Sequence, residues 1–248
     1  MKSFLCIILI VINIRSLSAQ TAENSIKYIW KNNENNLTAA VEIFGMQNKK
    51  GAIPVFFLNK VDTAFNSSTD SLFNAFKNDI SSICPVVRIS FYYFDDSVSA
   101  KKIKIYSDAF TKSILPDIHK KYTQLSTDNI MVAGLNSLCL VALFSAANNS
   151  HKLNKTALLF NSEDEFSAMA ILYSEASKNL KGKLYMYVNR HNYVDGFINS
   201  FAASVSLASS AVIYKYDHYD KPLPENFFTE AYKWLMADGN NYVITNGD

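Results

Sequence analysis

Six short apolar runs, at residues 52–58, 86–93, 129–133, 156–160, 183–188 and 211–216, recur along the chain. Runs of this length and character suit strands covered on both faces. Stretches with helical spacing lie between them, at 71–80, 101–122, 138–147, 165–180 and 193–207, and a last one closes the series at 224–236. In the first, Leu72, Phe73, Phe76 and Ile80 fall on one face; the second carries Pro116, which should break or kink it. Such alternation predicts an α/β fold, with a mostly parallel central sheet and helices on both faces. Two further strands are expected upstream, a short one around Tyr28 and Trp30 and another at 37–44, with a turn at 32–36. The length of 248 residues suits one domain of this class.

The run that most narrows the chemistry is Asn129-Ile-Met-Val-Ala-Gly-Leu-Asn-Ser-Leu-Cys-Leu-Val-Ala-Leu-Phe144. It reads as a strand, a sharp corner at 134–137, and a helix with small residues on one side. That is the geometry of a nucleophile elbow, G-x-S-x-G. The glycine two before the corner residue is present as Gly134. The corner residue is Asn136, and Leu138 stands where the second glycine belongs. An amide is a poor nucleophile and has no proton that a histidine could usefully remove. Asparagine does tolerate the positive φ of such a corner. Asn136 is therefore read as keeping the corner without the reaction, with a polar binding role for its amide as the alternative. Ser137 would become the nucleophile if the elbow slipped by one residue. The slipped frame, Leu135-Asn-Ser-Leu-Cys139, puts bulky side chains where glycines are needed, so Ser137 reads as a hydroxyl in the first helical turn. Cys139 reads as a small core residue.

Other segments share an order with a known group. Ala52-Ile-Pro-Val-Phe-Phe-Leu58 is similar to a "yPVlYLlDG" strand, and Phe110-Thr-Lys-Ser-Ile-Leu-Pro-Asp-Ile-His-Lys-Lys-Tyr122 to an "F..eLlPyIekkY" segment shortly before the elbow. Residues 148–162 are similar to "yPdlFgkaalfSps". Asp217-His-Tyr-Asp-Lys-Pro-Leu-Pro-Glu-Asn-Phe-Phe228 is similar to a "dHgsvP" ending followed by a closing helix. Over about residues 38–236 the chain thus resembles the esterase D-like, or enterochelin-esterase-like, branch of the α/β-hydrolase superfamily. The resemblance implies a single-domain α/β-hydrolase fold at 37–238, after an N-terminal segment at 20–36 and before a polar tail at 239–248. It also implies a site in which a serine attacks an ester carbonyl, a histidine takes its proton and a carboxylate orients the histidine.

Carried over position by position, the serine falls on Asn136 and the histidine on His218, which has Asp217 and Asp220 beside it. The acid is expected just after 183–188, where the chain reads Asn189-Arg-His-Asn192 and the first carboxylate is Asp195. The "DG" pair, a usual contributor to oxyanion binding, reads Asn59-Lys60. The preferred expectation is an esterase-like protein that has lost its nucleophile and acid and binds a small ester-like or glycan ligand, or a protein partner, in the old crevice. His218 is then a loop histidine without a proton to take. One alternative is an active carboxylic-ester hydrolase using Ser137, His218 and Asp195. Another is a structural or interaction domain with no pocket.

The remaining residues support blander readings. The four histidines are scattered without H-x-x-x-H spacing and the cysteines without C-x-x-C spacing, so no metal is expected, and no cofactor. Glu163-Asp-Glu165 is an acidic run of the kind that starts a helix. His119, His151 and His191 read as surface residues. A net charge of +2 with no basic run interleaved with aromatics argues against nucleic acid. Seven glycines are few for a chain of this length, against an average near ~7% of residues, which weighs against an elaborate site. Phe91-Tyr-Tyr-Phe94 crosses from strand to loop at the side where ligands bind in such sheets, as rim packing or as a sugar- or aryl-binding platform. Sequons at Asn36, Asn66, Asn148 and Asn154 matter only in a eukaryotic secretory route.

Residues 1–19 have the composition of a signal peptide: Lys2, an apolar run at 4–14, and small residues before Gln20. The run is too short to span a bilayer, so no stable membrane insertion is expected after cleavage. Cys84 and Cys139 would remain; export permits a bridge, but their places before a strand and on a core helix favour two buried thiols. N-terminal sequencing of the exported protein should begin at Gln20. A sequence beginning at Met1 would remove the exported reading.

Overall fold

The computed structural model describes residues 25–34, 36–46, 54–60, 67–94, 99–135, 138–160, 178–189, 212–219, 227–237 and 243–244. Nine strands form one sheet: β1 (Ile26–Asn32), β2 (Leu37–Phe44), β3 (Val55–Lys60), β4 (Val86–Phe91), β5 (Met131–Leu135), β6 (Lys155–Phe160), β7 (Gly182–Asn189), β8 (Val212–Tyr219) and β9 (Val243–Ile244). Their order is β1-β2-β4-β3-β5-β6-β7-β8-β9. β1, β2 and β4 pair antiparallel, and every other pair is parallel. All six apolar runs and both upstream strands lie in this sheet. It also reaches beyond 37–238 at both ends: β1 falls in the segment read as N-terminal, and β9 in the segment read as a polar tail.

Alternation within each strand divides the core in two, because successive side chains point to opposite faces. On one face Val41, Phe56, Ile89, Val132 and Leu184 pack under α2 (Ala100–Asp108), α3 (Leu115–Lys121) and α4 (Leu138–Asn148). On the other, Val55, Val86, Met131, Ala133 and Tyr185 pack under α1 (Ser67–Ile80) and α5 (Phe227–Met236). α1 and α5 meet through Phe76 and Phe228, whose ring centroids are 5.6 Å apart. Thr229 Oγ1 donates to Asp79 Oδ2 at 3.0 Å beside that contact. The segments read as helices at 165–180 and 193–207 lie outside the described residues. None of the described helices is long and apolar enough to cross a membrane.

Residues 101–122 were expected to break or kink near Pro116. The helix instead runs on from α2 into α3 through one π-helical stretch, Ala109–Ile114. The Leu115 N–H reaches back five residues to the Phe110 carbonyl. Pro116 has no N–H to donate, so a ladder that widens just before it loses little. The wide turn holds Phe110, fully buried, with its ring 5.7 Å from that of Phe56 in β3. Ser107 accepts from Ser145 at 3.0 Å inside the core, which pins α2 to α4. At the sheet edge, Tyr28 of β1 donates to Asp117 Oδ2 of α3 at 3.2 Å. Lys121 Nζ lies 2.8 Å from the same carboxylate and 4.1 Å over the Tyr28 ring. Burial, and then the Asp117 charge, raise the Tyr28 phenol above its ordinary range.

His119 differs from its surface reading. It is half-buried on α3, with its ring edge-on to Phe56 at 6.3 Å and a buried Nε2 that has no hydrogen-bond partner. A helix that presents Leu115 and Ile118 inward also turns position 119 partly toward β3. Burial, and then the Lys152 charge, lower its pKa from the ordinary value. Cys84 and Cys139 are free and buried, as expected of two core thiols. The phenol of Tyr232 is raised by burial and by its contact with Cys84.

Two stability measurements follow. Phe110→Ala should lower unfolding free energy by about 3–5 kcal/mol in denaturant titration, since it empties a site that the π turn exists to fill. A loss within experimental error would mean that the turn collapses around the gap. His119 has a depressed folded pKa, so the unfolded chain takes the proton first. Its contribution should be full above about pH 6.5 and lost progressively as pH falls toward the folded value. His119→Leu should flatten that part of the stability–pH curve. An unchanged slope would exclude His119 as its source.

Candidate functional site

β5 ends at Leu135 and α4 begins at Leu138, so only two residues turn the chain from strand to helix. Gly134 shows how tight the corner is. A Cβ there would lie 2.6 Å from the Leu138 carbonyl oxygen and 2.8 Å from the Cys139 Cα. The first turn of α4 therefore packs backbone to backbone on the end of β5, which only glycine allows. Cys139 Sγ donates to the Gly134 carbonyl at 3.1 Å and closes the contact. Leu138 to Leu143 are all buried. Strand, two-residue corner and buried helix are the frame read in the sequence.

The corner residues Asn136 and Ser137 lie outside the described residues, as do His191, Asp195 and Asp220. Their neighbours are placed by strand register. Leu135 pairs with Leu159, Leu159 with Tyr187, and Tyr187 with Asp217, so these four stand in one row. His218 is one position beyond that row. It was read as following a strand that ended near residue 216; β8 instead continues to Tyr219, with His218 paired to Val188. Three strand spacings separate β5 from β8, about 14 Å at the usual spacing. A general base must come within about 3.2 Å of the atom whose proton it takes, directly or through one water. The backbone ladder alone leaves the two strands that far apart.

The expected oxyanion pair also lies within a strand. Asn59 and Lys60 are the last residues of β3, in register with Ser90 and Phe91. β7 ends at Asn189, the first residue of the Asn189-Arg-His-Asn192 segment. His151 is exposed, as its surface reading implies. The groups with displaced pKa values, Tyr28, His119 and Tyr232, sit within β1, α3 and α5. Among the described residues, none of these is on a strand end beside the corner, where a group tuned for catalysis would be. A cavity of about 370 Å³ lies at the opposite edge of the sheet, where β5, β6 and β7 begin. Its polar groups already bind each other: Asn154 donates to Asn129 at 2.7 Å, and Lys183 donates to the Ala237 carbonyl.

No family model and no curated protein sequence matches the chain. Several solved structures match its fold. A ferulic acid esterase aligns with TM-score 0.57 at 14% identity, over 86% of this chain and 96% of its own. The S-formylglutathione hydrolase FrmB of Staphylococcus aureus aligns with TM-score 0.55 at 12% identity, over 86% and 97%. The esterase Pf2001 of Pyrococcus furiosus aligns with TM-score 0.59 at 10% identity, over 86% and 90%. The chain thus shares the α/β fold of these structures. At these identities the likeness is one of architecture, and activity is a separate question.

Gly134→Ala tests the corner itself. The added methyl meets backbone on two sides, so a loss of about 3 kcal/mol or more is expected in denaturant unfolding. An unchanged midpoint would show that α4 can move off β5.

Proposed function

We propose that the chain is an exported, non-catalytic relative of esterase-like α/β-hydrolases that binds a small ester-like or glycan ligand at the carboxyl ends of its strands. The observation that carries this reading is the residue at the corner. Between Leu135 and Leu138 the sequence supplies Asn136 and Ser137, and the position that follows Gly134 by two is the asparagine. Its amide cannot attack a carbonyl. The lack of a carboxylate in Asn189-Arg-His-Asn192 supports the same reading. Open α/β sheets bind ligands at these strand ends whether or not chemistry follows. The ligand-binding unit is residues 37–238 together with the edge strands β1 and β9. Residues 1–19 act as a cleaved signal.

The second reading, a carboxylic-ester hydrolase using Ser137, His218 and Asp195, is favoured by one observation: a hydroxyl stands next to the corner position. Hydrolysis of a panel of short-chain aryl esters separates the two. No turnover above background is expected, because loss of the nucleophile in a triad costs roughly 10⁶-fold in rate even when its partners remain. Asn136→Ser should restore slight activity at most, since it supplies the oxygen without the acid or the second glycine. Robust hydrolysis by the unmodified protein, abolished by Ser137→Ala, would establish the shifted enzyme instead. Activity that survived Ser137→Ala but was lost in His218→Ala would sink both.

A further inference from the structure

Among the described residues, three other than glycine have φ in the left-handed region: Asn36 at 51°, Asn129 at 60° and Tyr93 at 57°. Two are asparagines, which tolerate it. Tyr93 is bulky and does not, so its conformation is a true outlier. It is also 89% exposed. A turn that served only to reverse the chain would carry glycine or asparagine here and would not hold an aromatic ring in water.

The neighbours force the strain on this one residue. Phe91 and Phe94 both pack on Tyr106, at 5.1 and 4.7 Å between ring centroids. The Tyr92 N–H donates to the Thr38 carbonyl at 2.9 Å. With both sides of the turn anchored, Tyr93 is left at its tip. Backbone strain fixed by its surroundings in this way is characteristic of functional positions. The place fits as well. Tyr92 and Tyr93 follow the last residue of β4 at the carboxyl edge of the sheet. β4 is two strand spacings from β5, about 10 Å, and Ile89 shares a row with Gly134 through Leu58.

We propose that Tyr93, with Tyr92 beside it, is a stacking platform for a carbohydrate ring at the mouth of the crevice. The two ring centroids are 6.3 Å apart with the planes inclined by 45°. The platform is one-sided, because Tyr93 stands in solvent. A pyranose suits it: one face of C–H groups covers the aromatic ring while the hydroxyls around its edge stay hydrated. A flat aryl group would keep its second apolar face in water and gain less. The platform rests on the crevice being a ligand site, and not on whether hydrolysis occurs there.

The test is calorimetric titration of the full mature chain with four β-1,4-linked hexasaccharides, of glucose, xylose, mannose and N-acetylglucosamine. At least one should bind, and Tyr93→Ala should weaken it about tenfold. Tyr93→Asn should weaken binding equally while raising Tm by about 2–4 °C, because asparagine accepts the turn's φ. A platform kept only for packing would lose stability in that variant. Binding by none of the four, or equal binding by the wild type and Tyr93→Asn, would overturn the proposal. Either result leaves the ester assay untouched, so failure of the platform is distinguishable from failure of the non-catalytic reading.

Discussion

The contact on which the architecture turns is the approach of α4 to Gly134. A Cβ at that position has 2.6 Å of room, less than any real side chain can use. With the glycine in place, the helix starts against the strand it leaves and lies along the sheet. Leu138, Leu140, Val141 and Leu143 then reach full burial beneath α2, and Ser145 meets Ser107. Moving α4 outward by even one ångström would open space along its whole length, in a core that is close-packed. The corner is therefore fixed by burial around it and not only by the residues in it.

That distinction separates the corner's backbone path from any chemistry at it. Catalysis would need a particular oxygen at the corner, whereas the fold needs a particular backbone path. The close approach of α4 at Gly134 supports that path. Gly134 and Cys139 hold α4 to β5, and Phe56 holds β3 to the π turn through Phe110. A change at the corner residue that kept this path would therefore carry little penalty in stability.

The sheet was legible in the sequence where both faces of a strand are covered. Val55–Lys60, Met131–Leu135 and Lys155–Phe160 announce themselves through the apolar runs at 52–58, 129–133 and 156–160. The ends were harder. Asn59, Lys60, Asp217, His218 and Tyr219 look like loop, yet they continue the ladder at the sheet's carboxyl edge. Backbone pairing there is independent of side-chain polarity. β1 was expected around Tyr28 and Trp30, and as an edge strand it alternates between half-buried and exposed over Ile26–Asn32. β9 was obscured because it is only two residues, Val243–Ile244, within a polar tail. Pro116 signalled a break, but a helix can absorb the missing N–H by widening one turn, which no spacing of apolar residues announces. His119 was misread because its packing partner, Phe56, is far away in the sequence. Of the candidate site, the Gly134 corner was legible. The separation of β5 from β8 was not, because strand order is a property of the assembled sheet.

Strand order also bears on what single substitutions can achieve. In a parallel sheet each intervening strand adds about 4.8 Å, and side chains shorter than that cannot compensate. β6 and β7 both intervene between the corner and His218. His218 has its backbone committed to Val188 in a paired strand. Moving it out of the ladder requires the end of β8 to leave the sheet. That would break the pairs Val188–His218 and Asn189–Tyr219. Each net backbone hydrogen bond is worth only about 0.5–1.5 kcal/mol, so the detachment is affordable if new contacts replace it.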